Sequence, residues 1–260
     1  MEIPYFEVAA FTRKSFAGNP AGVCLLGNEW LPDEVMQNIA AENNLAETAF
    51  VVARGDRFGV RWMSPAIEID LCGHATLASA HVLIQHRNYQ GDLICFDSKS
   101  GELRVTREGE RLVLDFPSQP AEVCSPPPAL DEALGATPGK VLKSRDYFAI
   151  FDSEKEVAGI RPDLEVIRSL DTQGVVITAP GDRCDFVSRY FAPAAGIPED
   201  PVTGSTHCSL IPYWSGRLGK RTLVARQISP RGGDLFCEDR GDRVRIGGQA
   251  VTYLKGTIEF

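Results

Sequence analysis

Cys72, Gly73 and His74 stand together where the polar turn Asp70-Leu71-Cys72-Gly73-His74-Ala75-Thr76 runs into an apolar segment. A thiol at a helix start is acidified and can act as a base or nucleophile, whereas a free cysteine elsewhere is commonly just buried. His74 has two roles open to it, a hydrogen bond to a ligand carboxylate or closure of the turn. A second cluster, Glu199-Asp200-Pro201-Val202-Thr203-Gly204-Ser205, sets two acids, two hydroxyls and a glycine ahead of another apolar segment. Capping by Thr203 or Ser205, with acids favouring the helix dipole, accounts for one hydroxyl and one acid but not for the whole cluster. Glu47 is the third candidate, placed where a loop becomes the apolar strand Ala49-Phe50-Val51-Val52. It is either a solvated charge at a loop end or a partly buried acid/base, and local sequence favours the solvated charge. Asn19-Pro20 marks a turn, because proline keeps its predecessor out of the helical region; locally it reads as a plain hairpin loop. No metal site is expected. His74, His81, His86 and His207 lack finger-like spacing, and there is no HExxH.

The elements that must hold these residues follow from pattern. Ala75, Leu77, Ala78, Ala80, Val82, Leu83 and Ile84 fall on nearly every side of a helix, which predicts a buried one. Its free N–H groups and partial positive charge make a site for an anion such as a carboxylate, and Gly73 lets a ligand come close to the backbone. The stretch has an echo: Arg61-Trp62-Met63-Ser64-Pro65 is matched by Arg189-Tyr190-Phe191-Ala192-Pro193, an offset of 128 from Pro65 to Pro193. Gly73 is matched by Gly204 at an offset of 131. Each copy reads as strand, turn, glycine, helix start. A repeat near half the chain length predicts two similar domains with two helix N-termini. If those termini face each other across a cleft, one carboxylate-bearing ligand is held from both sides.

Between these landmarks, strands are expected over residues 3–11, 23–26, 57–63, 93–97, 103–106 and 112–116, with a helix from Pro32 to about Glu42. This run favours an antiparallel or mixed sheet over βαβ units. Five prolines at 117, 120, 126, 127 and 128 mark a stiff linker. Beyond it, short helices are expected at 130–134 and near 163–170. Strands are expected at 141–143, 147–151, 175–178, 186–191, 223–228, 235–238, 244–246 and 251–258. The helix starting near Ser205 meets Pro212, which should kink or shorten it.

The chain has 260 residues, 43% hydrophobic and 24% charged, ordinary for a globular protein and enough for two domains of about 130. A net charge of −8 and a pI of about 5.1, with no basic run, argue against nucleic-acid and anionic-membrane partners. Seven widely spaced cysteines without a CxxC fit a reducing cytosol, so a cytoplasmic location is expected. No signal peptide and no membrane-length apolar run are seen.

Four motifs together resemble the signatures of the PhzF-like (phenazine-biosynthesis-like) isomerase family, in its order and approximate spacing: Phe16-Ala17-Gly18-Asn19-Pro20, Asn44-Leu45-Ala46-Glu47-Thr48-Ala49-Phe50, the Cys72-Gly73-His74 turn and the Asp200–Ser205 turn. The resemblance covers nearly the whole chain. It implies the diaminopimelate-epimerase-like fold, α+β, in which two similar domains each wrap a curved, mostly antiparallel or mixed, barrel-like sheet around a central helix, with an active-site cleft between them. The expected division is 1–116 for the first domain, 117–129 for the linker and 130–249 for the second, with a strand at about 250–260 returning to the first. A homodimer is also implied.

The resemblance makes Glu47 the acid/base, and His74 and Asp200 the groups that position the substrate. Gly73, Gly204 and Ser205 form the backbone anion site, Asn19 borders the cleft, and Cys72 and Thr203 line the turns. The family's phenazine-pathway member moves one proton between ring carbons of a dihydro-hydroxyanthranilate with neither metal nor organic cofactor. A carboxylate does this when partly desolvated. The epimerase relatives use two thiols, one at each glycine turn. Here the second is Thr203, too weak an acid, so a one-base shift centred on Glu47 is preferred. Ala46 replaces the family's usual serine, which weakens transfer of the phenazine substrate more than transfer of the chemistry. The expected activity is a cofactor-independent isomerisation of a small carboxylate-bearing metabolite. The alternatives are a Cys72-dependent racemase or hydrolase, and a non-catalytic binding or scaffold protein on the same fold.

Overall fold

The computed structural model describes residues 1–260, which divide into two compact units, Met1–Asp115 with Gly247–Phe260, and Phe116–Ile246. The proline-rich stretch expected as a linker therefore falls inside the second unit, and Glu122–Val123 within it forms a short strand.

In the first unit the strands are β1 (Glu2–Ala10), β2 (Asn19–Leu25), β3 (Glu47–Arg54), β4 (Arg57–Met63), β5 (Glu68–Ile69), β6 (Leu93–Ser98), β7 (Gly101–Glu108) and β8 (Arg111–Pro117). The helices are α1 (Asp33–Asn43) and α2 (Gly73–Arg87). Neighbouring strands pair antiparallel except β2 with β3 and β4 with β6, which are parallel. The second unit holds β9 (Glu122–Val123), β10 (Lys140–Lys143), β11 (Tyr147–Ile150), β12 (Val175–Pro180), β13 (Phe186–Ala192), β14 (Ile197–Asp200), β15 (Thr222–Gln227), β16 (Gly233–Asp239) and β17 (Arg243–Gly248). Its helices are α3 (Leu130–Leu134), α4 (Glu154–Gly159), α5 (Leu164–Ser169) and α6 (Gly204–Leu218). The last strand, β18 (Ala250–Glu259), pairs antiparallel with β1 and so returns to the first unit.

The repeat seen in sequence is a repeat of pairing. In the second unit β10/β11 is antiparallel, β11/β12 parallel, β12/β13 and β13/β14 antiparallel, β13/β15 parallel and β15/β16 antiparallel. The first unit has the same succession from β1/β2 to β6/β7. Each unit also keeps its arginine: Arg61 on β4 holds Glu68 at 2.7 and 2.9 Å, and Arg189 on β13 holds Glu199 at 2.7 and 3.0 Å. Both are forked guanidinium–carboxylate pairs that pin the short strands β5 and β14 leading to the glycine turns.

The two fifteen-residue helices α2 and α6 are the most buried in their units, and both end on a left-handed residue, Asn88 and Gly219. The expected shortening of α6 at Pro212 does not occur. Proline there removes the N–H that would reach the carbonyl of Cys208. That carbonyl instead accepts from the backbone N–H of Gln119 at 2.9 Å, and Ser209 Oγ donates to the Gln119 carbonyl at 2.5 Å. The proline-rich segment thus completes the helix that proline would otherwise break. A second difference lies at Asn19, predicted in a loop, which opens β2 opposite Ala10. Pro20 is accommodated because the β3 ladder begins only at Ala21.

Candidate active site

Glu47 is the first residue of β3, a strand flanked by β2 on one side and β4 on the other. Asn44, left-handed at φ 48°, ends α1 and turns the chain into β3. Central placement buries Glu47 to 9% exposure, which sets aside the solvated loop-end reading. Across from it, His74 Nε2 lies 3.2 Å from Glu47 Oε2. His74 Nδ1 faces the Asn19 amide nitrogen at 3.3 Å and the Cys72 thiol at 3.5 Å. Thus five residues from three separated motifs, Asn19, Glu47, Cys72, Gly73 and His74, meet in the first unit, and the side chains of Asn19, Glu47, Cys72 and His74 are buried. Burial holds the His74 imidazole down to about 4, with the Pro20 carbonyl pulling weakly the other way, so the ring beside Glu47 is neutral at pH 7.

Donor atoms of Glu47, Cys72 and His74 lie within 4.8 Å of one another. Glu47 approaches one ring nitrogen and Cys72 the other, however. No single imidazole nitrogen faces both, and the arrangement is a row of groups strung along the ring rather than a tetrahedral cage.

In the second unit Asp200 ends β14 and Thr203 precedes α6. The Thr203 hydroxyl donates to Asp200 Oδ2. Gln227, fully buried at the end of β15, clamps this turn: its Oε1 accepts from the Thr203 N–H at 2.9 Å, and its Nε2 donates to the Asp200 carbonyl at 2.7 Å. Arg145, just ahead of β11, donates to Ser205 Oγ at 3.2 Å and to Asp146 Oδ2 at 2.8 Å, and Tyr190 donates to the other Asp146 oxygen at 3.1 Å. Asp200, Thr203, Gly204 and Ser205 are therefore brought together, joined by two residues that sequence reasoning missed. Gln227 carries no sequence signal beyond being polar at a strand end. Arg145-Asp146 could have been found as a charged pair immediately before an apolar strand.

The plain capping reading of Thr203 or Ser205 is not what the structure shows: Thr203 stands at the N-cap position of α6 without a side-chain cap bond. Neither α2 nor α6 has a side-chain cap, while α4 and α5 are capped by Ser153 and Asp163. Thr203 spends its hydroxyl on Asp200, and Cys72 turns toward His74. No side chain caps the first turn at Gly73 or at Gly204.

The two units differ at one decisive position. The ladders pair Phe50 with Arg61 and Ile177 with Arg189, so aligning the two arginines places Gly174 at the position of Glu47. A Cβ on Gly174 would sit 2.5 Å from the Tyr190 ring and 2.7 Å from the Phe191 carbonyl. No side chain fits there. Gly174→Ala is expected to cost about 1–3 kcal/mol through overpacking, read as a lower urea midpoint.

The phenazine biosynthesis-like protein (PhzC-PhzF) family model matches residues 8–256. A Pseudomonas aeruginosa protein named as an uncharacterized isomerase is 50% identical over 100% of both chains. Among solved structures, a PhzF-family phenazine biosynthesis protein of Enterococcus faecalis superposes with a TM-score of 0.98 at 48% identity over 100% of both chains. A probable proline racemase of Agrobacterium radiobacter, at 12% identity, covers 99% of this chain and 92% of its own with a TM-score of 0.64, and shares the fold.

Proposed function

This chain belongs to the phenazine biosynthesis-like (PhzC-PhzF) family, and from that premise we propose that it is an isomerase moving a proton within a small carboxylate-bearing metabolite, with Glu47 as its single base. The observation that carries this reading is the setting of Glu47. It is buried and faces a neutral imidazole rather than a cation, and its counterpart in the repeat is a glycine with no room for an acid. A carboxylate so placed can take a proton from one carbon of the substrate and return it to another, the electron pair shifting along the intervening bonds. Nothing is gained or lost overall. His74 and Asn19 orient the carboxylate. The uncapped N–H groups at Gly73 and Gly204, with Arg145 and Ser205 beside the second, are the groups proposed to bind the substrate carboxylate, and Asp200 its polar substituent. The homodimer belongs to the same proposal, and sedimentation velocity tests it.

The test of the base is solvent-deuterium incorporation into cyclic and amino-acid-like carboxylates, comparing wild type with Glu47→Gln. Asp200→Asn leaves the base in place and is expected to raise KM more than it lowers kcat, since it removes a positioning contact.

One contact favours a second reading. The Cys72 thiol, 3.5 Å from His74 Nδ1, has the neighbour that activates cysteine nucleophiles. Cys72→Ser separates the two: kcat/KM within a few-fold of wild type is expected for a Glu47 enzyme, and collapse by about 10²-fold or more for a Cys72 enzyme.

A further inference from the structure

A cavity of about 420 Å³ opens in the first unit, away from Asn19, Glu47, Cys72 and His74, none of which lines it. It is built on the later turns of α2, where His81 and Ile84 share a face, on the β7–β8 hairpin and on the start of β18. Its volume lies within the range of small-molecule sites.

The lining has a definite chemistry. Arg13 is held at the rim by Glu110 at 3.1 Å and by the side-chain Oε1 of Gln249, while Gln249 Nε2 donates to Glu110 at 3.2 Å. Glu110 is thereby committed to Arg13. Arg107, also in the lining, has no carboxylate partner. His81 is committed too: its Nε2 lies 2.9 Å from Thr252 Oγ1, which His86 Nε2 also meets at 2.9 Å. Ile84, Leu112 and Val251 supply apolar wall. In a chain of net charge −8, two guanidiniums against one carboxylate form a local positive site beside an apolar surface.

We propose that this cavity is a second binding site, for a small monocarboxylate with an apolar or aromatic body. The ligand's carboxylate pairs with the guanidinium of Arg107, in the forked geometry that arginine offers, and its body packs on Ile84, Leu112 and Val251. The proposal is independent of the role given to Glu47.

Titration of the ¹⁵N-labelled full-length protein with sodium benzoate tests it. Saturable shifts are expected at the amides of Gly109, Ala250 and Val251, unchanged in Glu47→Gln and weakened about tenfold or more in Arg107→Ala, as expected for loss of a charged hydrogen-bond partner. Ile84→Trp, which fills the cavity, should abolish them, and uncharged benzyl alcohol should bind at least about tenfold more weakly by the same criterion. Three results would overturn the proposal: no saturable shift at these amides, shifts confined to the Gly73 and Gly204 turns, or shifts at Ala250 and Val251 that Arg107→Ala leaves equally strong.

Discussion

In D2O, wild-type protein is expected to place solvent deuterium on a carbon of its substrate during turnover, and Glu47→Gln to lower that exchange by about 10³-fold, the middle of the range for loss of a positioned general base. The amide keeps the shape of the side chain and its place at the head of β3, so substrate binding should stay within a few-fold. The loss belongs in kcat. The repeat supplies no second acid, since the counterpart of Glu47 is Gly174, and Cys72→Ser tests the thiol separately. Exchange retained in Glu47→Gln would remove Glu47 from the mechanism. Lost exchange together with lost binding would make it a structural residue.

Mild acid is expected to destabilise the fold well before carboxylates titrate. Burial holds His74, His81 and His207 each down to about 4, against about 6.5 in an unfolded chain. Between those values the unfolded chain binds more protons than the folded one, so stability rises with pH. The contribution is fully present above pH 6.5 and is lost as pH falls from about 6.5 toward 4. Each histidine supplies about 1.4 kcal/mol per pH unit in that window. Urea midpoints at pH 7, 6 and 5 should therefore fall steeply, with protons taken up on unfolding by these three histidines and in part by His86, which burial also lowers. Glu68, drawn down to about 2 chiefly by Arg61, acts at lower pH and does not enter. A flat profile from pH 7 to 5 would show that these rings are not held neutral.

Much of this arrangement could be read from the residues because the sequence repeats. The Arg61 and Arg189 stretches foretold two strands that enter glycine turns, and the even apolar distribution of 75–84 foretold a buried α2. What escaped were features set by partners distant in the chain. Pro212 lies within an unshortened helix because Gln119 supplies the missing donor, and no local pattern announces a donor 93 positions away. Burial of Glu47 depends on β2 and β4 closing around β3, so local sequence favoured the wrong reading. That capping leaves the 199–205 cluster unexplained could be read locally, but not that Asp200 and Gln227 would take the groups of Thr203.

The Gln119–Cys208 bond also changes what the stretch after residue 116 is for. A spacer tolerates insertion, since its length matters little so long as its ends meet. A segment that lends a backbone donor to a distant helix has a fixed reach, and a single added residue ahead of Gln119 would carry the donor off its acceptor. The chain at this point is a measured strut, and it makes the ladder of α6 a joint product of two regions that must arrive together during folding.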